Sequence, residues 1–267
     1  MKHFHSQKRL LKVFIQTSAL EEVAFRSNFV AKLCNTALSL AGSIGAIYLL
    51  FQAKSSIHGW SFYEVLILTA IFMLLQSLIS LFLGPSLNAI SGLNGELWTG
   101  QFDFTLLKPV STQLCLCARH WSLLSMIDLI ISIVLLLIGA IKAGIQYTPT
   151  TVLLFIYTLF IAVLLLYSIM LILSSVAFWY LGTPLLWIFN SFMELGRYPV
   201  NIYPAVFRNL LTWILPVGLM ITIPAQVLTH NYNIIEIIFG TLFAITLYTI
   251  SIFFLKASIR HYSSASS

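Results

Sequence analysis

The sequence predicts an all-α polytopic membrane protein, a single domain over residues 1–267 with six transmembrane helices. To these it adds an N-terminal interfacial helix, one long wet loop and a re-entrant hairpin before the last span. Three observations carry this reading. Of 267 residues, 59% are hydrophobic and only 8% charged, whereas a soluble domain carries about 25% charged residues. The apolar residues gather in six stretches close to the ~20 residues that a helix needs to cross the hydrocarbon core. Between the second and third stretch, residues 84–120 hold Glu96, Asp103, Lys108 and Arg119 among the turn residues Gly84, Pro85, Gly92, Gly95, Gly100 and Pro109.

The chain begins with a segment, 1–32, that reads as interfacial. At ~100° per residue, Leu10, Val13, Phe14, Leu20, Ala24 and Phe25 share one arc, and Lys8, Lys12, Gln16, Glu22 and Arg26 the other. Glu21 breaks the apolar arc. Such a helix lies in the headgroup layer; a plain solvated lead-in is the alternative. Glu21, Glu22, Arg26 and Lys32 follow the apolar patch, and no small-residue cleavage site closes it. The first span is therefore expected to be an uncleaved anchor.

The expected spans are 33–52, 62–83, 121–141, 151–173, 175–192 and 233–255. The connections 53–61 and 142–150 are short, with Trp60, Tyr63 and Tyr147 at interface depth. Residues 198–230 are apolar but contain Arg208 and are cut by Pro204, Pro216 and Pro224. Proline removes a backbone donor and breaks a helix. Broken helices at membrane depth survive only where protein or a watery cavity receives the freed groups. Two short re-entrant helices are expected here.

With six spans, both termini share a side with the 84–120 loop. That side holds Lys2, Lys8, Arg9, Lys12, Arg26, Lys32, Lys108, Arg119, Lys256 and Arg260; the other holds Lys54, Lys142, Arg197 and Arg208. The bias places the termini and the loop in the cytoplasm.

Catalytic signals are missing. There is no glycine-rich phosphate loop with its Lys-Ser/Thr, no nucleophile elbow, no metal-ligand spacing and no carboxylate pair. Cys34, Cys115 and Cys117 make no disulfide framework. No basic patch is interleaved with aromatics, so nucleic acid is not an expected partner. His120 and Asp128, eight residues apart, lie on adjacent faces and make a poor acid–base pair.

Four charged residues at membrane depth are pathway or gate candidates. Asp128 costs about 3 kcal/mol inside the core unless paired or wetted. It marks either a polar point of a path or subunit contact, or a shallow residue paired with a neighbour. Glu194 and Arg197 sit three apart and can pair on a helix end. Arg208 either pairs with Glu194 or Glu236 or contacts substrate at the outer mouth. Glu64 and Glu236 open spans at the outer interface.

Two stretches together carry a family resemblance. One is Gly100, Phe102, Asp103, Leu106, Leu107, Lys108, Pro109 and Val110; the other is Arg197, Tyr198, Pro199, Ile202, Tyr203, Pro204, then Leu211, Ile214, Leu215 and Pro216. Their order resembles the type-2 ABC exporter permeases, in particular short six-span bacterial permeases encoded apart from their ATPase. The resemblance implies a membrane-spanning subunit, not an enzyme, that forms the substrate pathway as a homo- or heterodimer with a second permease subunit in the lipid of the bacterial plasma membrane. It implies a separate ABC ATPase carrying ATP and Mg, with no cofactor on this chain. A coupling helix over 87–99 and a return over 100–110 would dock on that ATPase, aided by the N-terminal helix. The coupling residues would be Glu96, Trp98, Gly100, Phe102, Asp103, Lys108 and Pro109. The re-entrant outer helices would fall on 203–228. A largely apolar path suits amphipathic drugs, lipids or hydrophobic peptides. The alternative is an autonomous secondary transporter or channel, motivated by Asp128, Glu194 and Arg208; a membrane-embedded enzyme lacks convergent residues.

Overall fold

The computed structural model describes residues 2–23, 26–53, 56–107 and 112–262; the side chains of 2–9, 23, 26–27 and 53 fall outside the description. Lys108, Pro109 and Val110 of the first motif lie outside the described residues, as do the side chains of Lys8, Arg9 and Arg26. No strand is present among the described residues.

The chain opens with α1 (Lys2–Val23) and α2 (Arg26–Ala53). Helix α3 (Phe62–Leu78) continues through a π-turn, Ile79–Leu83, into α4 (Gly84–Ser91). Three short helices follow: α5 (Glu96–Thr99), α6 (Phe102–Leu106) and α7 (Thr112–Ala118). A 3₁₀ turn, Leu123–Ser125, leads into α8 (Met126–Lys142), and α9 covers Pro149–Val176. Helix α10 (Leu185–Met193) ends in a 3₁₀ turn, Glu194–Arg197. Helix α11 (Ala205–Asn209) runs on as a π-turn, Leu210–Ile214, before α12 (Val217–Leu228) and α13 (Ile234–His261).

Five stretches are long and apolar enough to cross a membrane: Asn28–Gln52, Phe62–Thr99, Leu123–Lys142, Pro149–Val176 and Ile234–His261. Their starts follow local chemistry. Ser61 and Glu64 form a reciprocal capping box at α3, with Ser61 N–H donating to Glu64 Oε2 at 2.7 Å. Thr148 caps α9, whose first helical residue is Pro149. Asn233 Oδ1 accepts from Ile235 N–H at α13. Glu64 is thus a cap.

Helix α3 is the centre of the bundle. Ile67, Leu68, Ile71 and Leu75 are fully buried, and α8 and α12 pack against it. Helices α9, α12 and α13 form the second packed group. The face carrying residues 84–120 is called the loop face below, and the other the far face. Ser18 of α1 accepts from Trp121 N–H at 3.0 Å, and the Tyr262 ring, just past α13, sits edge-on to Phe102. Both α1 and the end of α13 therefore lie on the loop face.

The fifth expected span, 175–192, is corrected. Helix α9 extends to Val176, the chain turns through Gly182 (φ +73°), and α10 has only nine residues. Nine residues span ~14 Å at 1.5 Å each, about half the ~30 Å core. Trp179, Tyr180 and Leu181 carried the apolar pattern across the turn, yet all three are exposed at its loop-face end. Helix α10 rises from the loop face only until Thr69 of α3 donates to the Arg197 carbonyl at 3.1 Å. On the far-face half stands α12, which ends where His230 meets the Gln146 carbonyl, 3.2 Å away. The two meet at Gly196, where a Cβ would overlap Val217 and Ile221 of α12.

The segment between them bends by 91° between Ala205–Ile214 and Val217–Leu228. Pro204 immediately precedes α11 and Pro216 immediately precedes α12. The break expected at Pro224 is absent. Helix α12 runs through it with Pro224 buried, because packing against α3 and α9 holds the helix where one backbone donor is missing.

Candidate functional site: a polar cleft, a far-face cup and a folded loop

Helix α2 is inverted relative to a soluble helix. Leu33, Leu38 and Leu49 point outward, while its inward stripe is Lys32, Thr36, Ser39 and Ser43, with Ile47 completing it. These residues recur every three or four positions, so they share one face. Opposite them α3 presents Phe72 and Gln76, the π-turn that follows it presents Ser80, and α8 presents Asp128. The 3₁₀ turn after α10 adds Glu194 and Arg197. Together they line a cleft of about 200 Å³.

Two ion pairs mark its ends. Near the loop face, Lys32 Nζ pairs with Asp128 Oδ2, and the Thr36 hydroxyl donates to Asp128 Oδ1. At mid-depth, Arg197 Nη2 donates to Glu194 Oε2 at 2.6 Å and Arg197 Nη1 to Ser43 Oγ at 2.9 Å. The guanidinium also lies 5.3 Å from the centroid of the Phe72 ring, a favourable cation–π geometry. Between the pairs, Gln76 Oε1 is buried and accepts no hydrogen bond. Three of the four charged candidates, Asp128, Glu194 and Arg197, therefore converge. Sequence reading missed Lys32, Thr36 and Ser43, although the polar stripe on an otherwise apolar span was the signal.

Arg208 stands elsewhere. It lines a larger cavity of about 440 Å³ with Asn209, Trp213, Gln226, Glu236 and Phe239, towards the far face. The expected ion pair of Arg208 with Glu194 or Glu236 does not form; Glu194 is taken by Arg197. The ring of Trp213 meets Phe239 edge-on with centroids 5.0 Å apart, which ties the π-turn after α11 to α13.

The described residues of the 84–120 loop are folded into the bundle. Leu87, Ile90, Leu97, Phe102 and Leu116 are buried, and Phe102 packs edge-on against Phe178 and Tyr262. Arg119 pairs with Glu96, and Thr105 Oγ1 donates to Glu96 Oε2 at 2.7 Å. Ser86 Oγ bridges His120, accepting from its N–H at 2.9 Å and donating to its carbonyl at 2.8 Å. Burial, and then the Asp103 carboxylate beside it, push the Tyr262 hydroxyl above the usual tyrosine value. Gly100 closes α5 in the left-handed conformation, φ +73°. Of the expected coupling residues, Glu96 and Phe102 face inward, and Trp98 is 55% exposed. Exposed around it are Leu93, Phe104 at 69%, Leu106 and Leu107 at 80%.

Against this geometry, a family model described as ABC-2 family transporter protein matches residues 37–266. The chain belongs to the ABC-2 transporter family. No curated protein and no solved structure matches it. An ABC-2 chain is the permease component of an ABC transporter, a transport component that is not itself catalytic, and the family implies an ABC ATPase as partner. In this ABC-2 protein, no group of three His, Cys, Asp or Glu suited to a metal ion occurs among the described residues.

Proposed function

We propose that the chain is the membrane-spanning subunit of an ATP-driven exporter in a bacterial plasma membrane, paired with a second permease subunit around the substrate path. Its ATPase is a separate chain that carries ATP and Mg and docks on the loop face, which is cytoplasmic together with both termini. The observation that carries the docking part is the loop itself. A membrane protein has little reason to fold 84–120 around Leu97 and Phe102 and leave Phe104 and Leu107 in water unless a partner covers them. Glu96, Phe102 and Asp103 hold that element together from within, and Trp98, Phe104 and Leu107 make the contact. Residues 198–230 act as the re-entrant far-face segment, and the cleft from Lys32 to Arg197 is the loop-face half of the path.

The test is co-expression with an ABC ATPase subunit from the same genome. Co-purification, and ATP-driven uptake into inside-out vesicles, support the reading; absence of a complex, or accumulation in right-side-out vesicles, overturns it. A second reading, an autonomous carrier, draws on the two ion pairs in the cleft, because ionisable groups at membrane depth commonly serve ion coupling. Gradient-driven transport by the purified chain alone would favour it.

A further inference from the structure

The cleft has a charge composition that selects its occupant. Lys32 and Arg197 contribute two positive charges, and Asp128 and Glu194 two negative ones, so the lining is neutral overall. The Lys32–Asp128 pair is partly withdrawn from water, with side-chain exposures of 23% and 18%, and so is Arg197 at 22%, while Glu194 is 48% exposed. A ligand of single charge would take one member of the Lys32–Asp128 pair and leave the other partly desolvated and alone, which is costly. A neutral ligand would leave both pairs intact and gain little. A zwitterion exchanges ion pair for ion pair: its anion takes Lys32 or Arg197, and its cation takes Asp128 or Glu194.

Gln76 sharpens the choice. Its buried Oε1 has no donor, and a buried acceptor left unmatched costs about 1–3 kcal/mol. A primary ammonium brings N–H donors; a quaternary ammonium brings none. Size sets the rest. A volume of about 200 Å³ holds about six waters at their liquid share, room for a polar head and not for a chain. Phe29 and Leu33, four residues apart and exposed beside Lys32 on the same helix α2, offer an apolar surface for a tail.

We infer that the cleft between α2, α3, α8 and the turn after α10 binds the head of a zwitterionic amphiphile carrying an anion and a primary ammonium, of the phosphoethanolamine type. Its role as transported substrate rests on the permease reading; its binding does not.

The test uses the purified full-length chain in nanodiscs of neutral composition, without an ATPase, so that a failed coupling reading leaves the result untouched. Lysophosphatidylethanolamine is titrated against amphiphiles of matched tail bearing phosphocholine, sulfate, trimethylammonium or maltoside heads. Glycerophosphoethanolamine serves as the tail-free arm. The primary-ammonium zwitterion should bind about tenfold more tightly than each of the others, the value of one charged hydrogen bond. Gln76→Leu, which removes an unmatched buried acceptor and keeps the fold, should erase the preference over phosphocholine. One of Asp128→Asn and Glu194→Gln, the one that removes the carboxylate holding the ammonium, should weaken zwitterion binding about tenfold. No loss in either would overturn the assignment, and Arg197→Lys should retain most of the binding. Equal affinity for all heads, preference for a singly charged head, or unchanged selectivity in Gln76→Leu would overturn the assignment. Equally tight binding of the tail-free head would overturn the amphiphile part.

Discussion

Arg119 forms an ion pair with Glu96, 23 residues earlier in the chain, and so joins the residue just after α7 to the first turn of α5. Thr105 donates to the same carboxylate. The charged residues that first marked this loop as wet are partly turned inward, where they tie its short helices to the bundle.

Loss of that tie should be a stability effect. Glu96→Gln is expected to lower the stability of the purified chain by about 2 kcal/mol, the range for hydrogen bonds to a charged group. Arg119→Ala should cost a similar amount. The charge swap Glu96→Arg with Arg119→Glu should recover part of it, read as thermal unfolding in detergent. A swap no better than either single change would show that the pairing is not what holds the loop.

Docking should reside on other residues. Phe104→Asp and Leu107→Asp alter side chains that stand in water, so unfolding should move by no more than about 0.5 kcal/mol. Co-purification with the ATPase should fall by more than about tenfold, a typical loss at an apolar anchor. Retained complex formation in both variants would move the docking surface elsewhere.

The junction of the split fifth crossing has no spare volume. A Cβ on Gly196 overlaps Val217 and Ile221, so Gly196→Val should destabilise the chain by about 1–3 kcal/mol through overpacking. Thermal unfolding of the variant, and of a rescue that pairs it with Ile221→Ala, measures the contact.

Thiol chemistry reports the loop from inside. Cys117 is buried, and that burial pushes its thiol up to about 11, with a hydrogen bond to the Tyr167 hydroxyl lowering it only in part. Near pH 8 its thiolate is therefore about a thousandth of the total. Maleimide should spare Cys117 in the native chain and label it after unfolding. The sign of the linkage follows: the folded chain holds this proton more tightly, so it loses stability as pH climbs from the usual thiol value of 9.0 towards 11. Rapid labelling of Cys117 in the native chain at pH 7.5 would contradict the burial.

Legibility in the sequence followed the range of the forces involved. Five spans were readable because lipid demands unbroken apolar length, and no other residues supply it. The breaks at Pro204 and Pro216 were readable from the missing backbone donors, whereas the charges and turns of 84–120 gave no sign that Leu87, Leu97 and Phe102 would be buried. The Pro224 break was misread, because a helix packed on two neighbours tolerates one lost hydrogen bond. The span at 175–192 was misread, because the interfacial residues Trp179, Tyr180 and Leu181 look like core in a hydropathy window.

By itself the sequence determined the solvent, the approximate crossings, the side shared by the ends and the loop, and the family-bearing motifs. All of these depend on composition and on neighbours close in the chain. Only the tertiary structure decided that Asp128 answers Lys32, that Arg197 takes Glu194 and leaves Arg208 to a separate cavity, and that Glu96 faces inward. A charge in a low-dielectric bundle must find an opposite charge within a few ångströms. Which one it finds depends on how helices far apart in the chain are rotated against each other, and no local pattern carries that rotation.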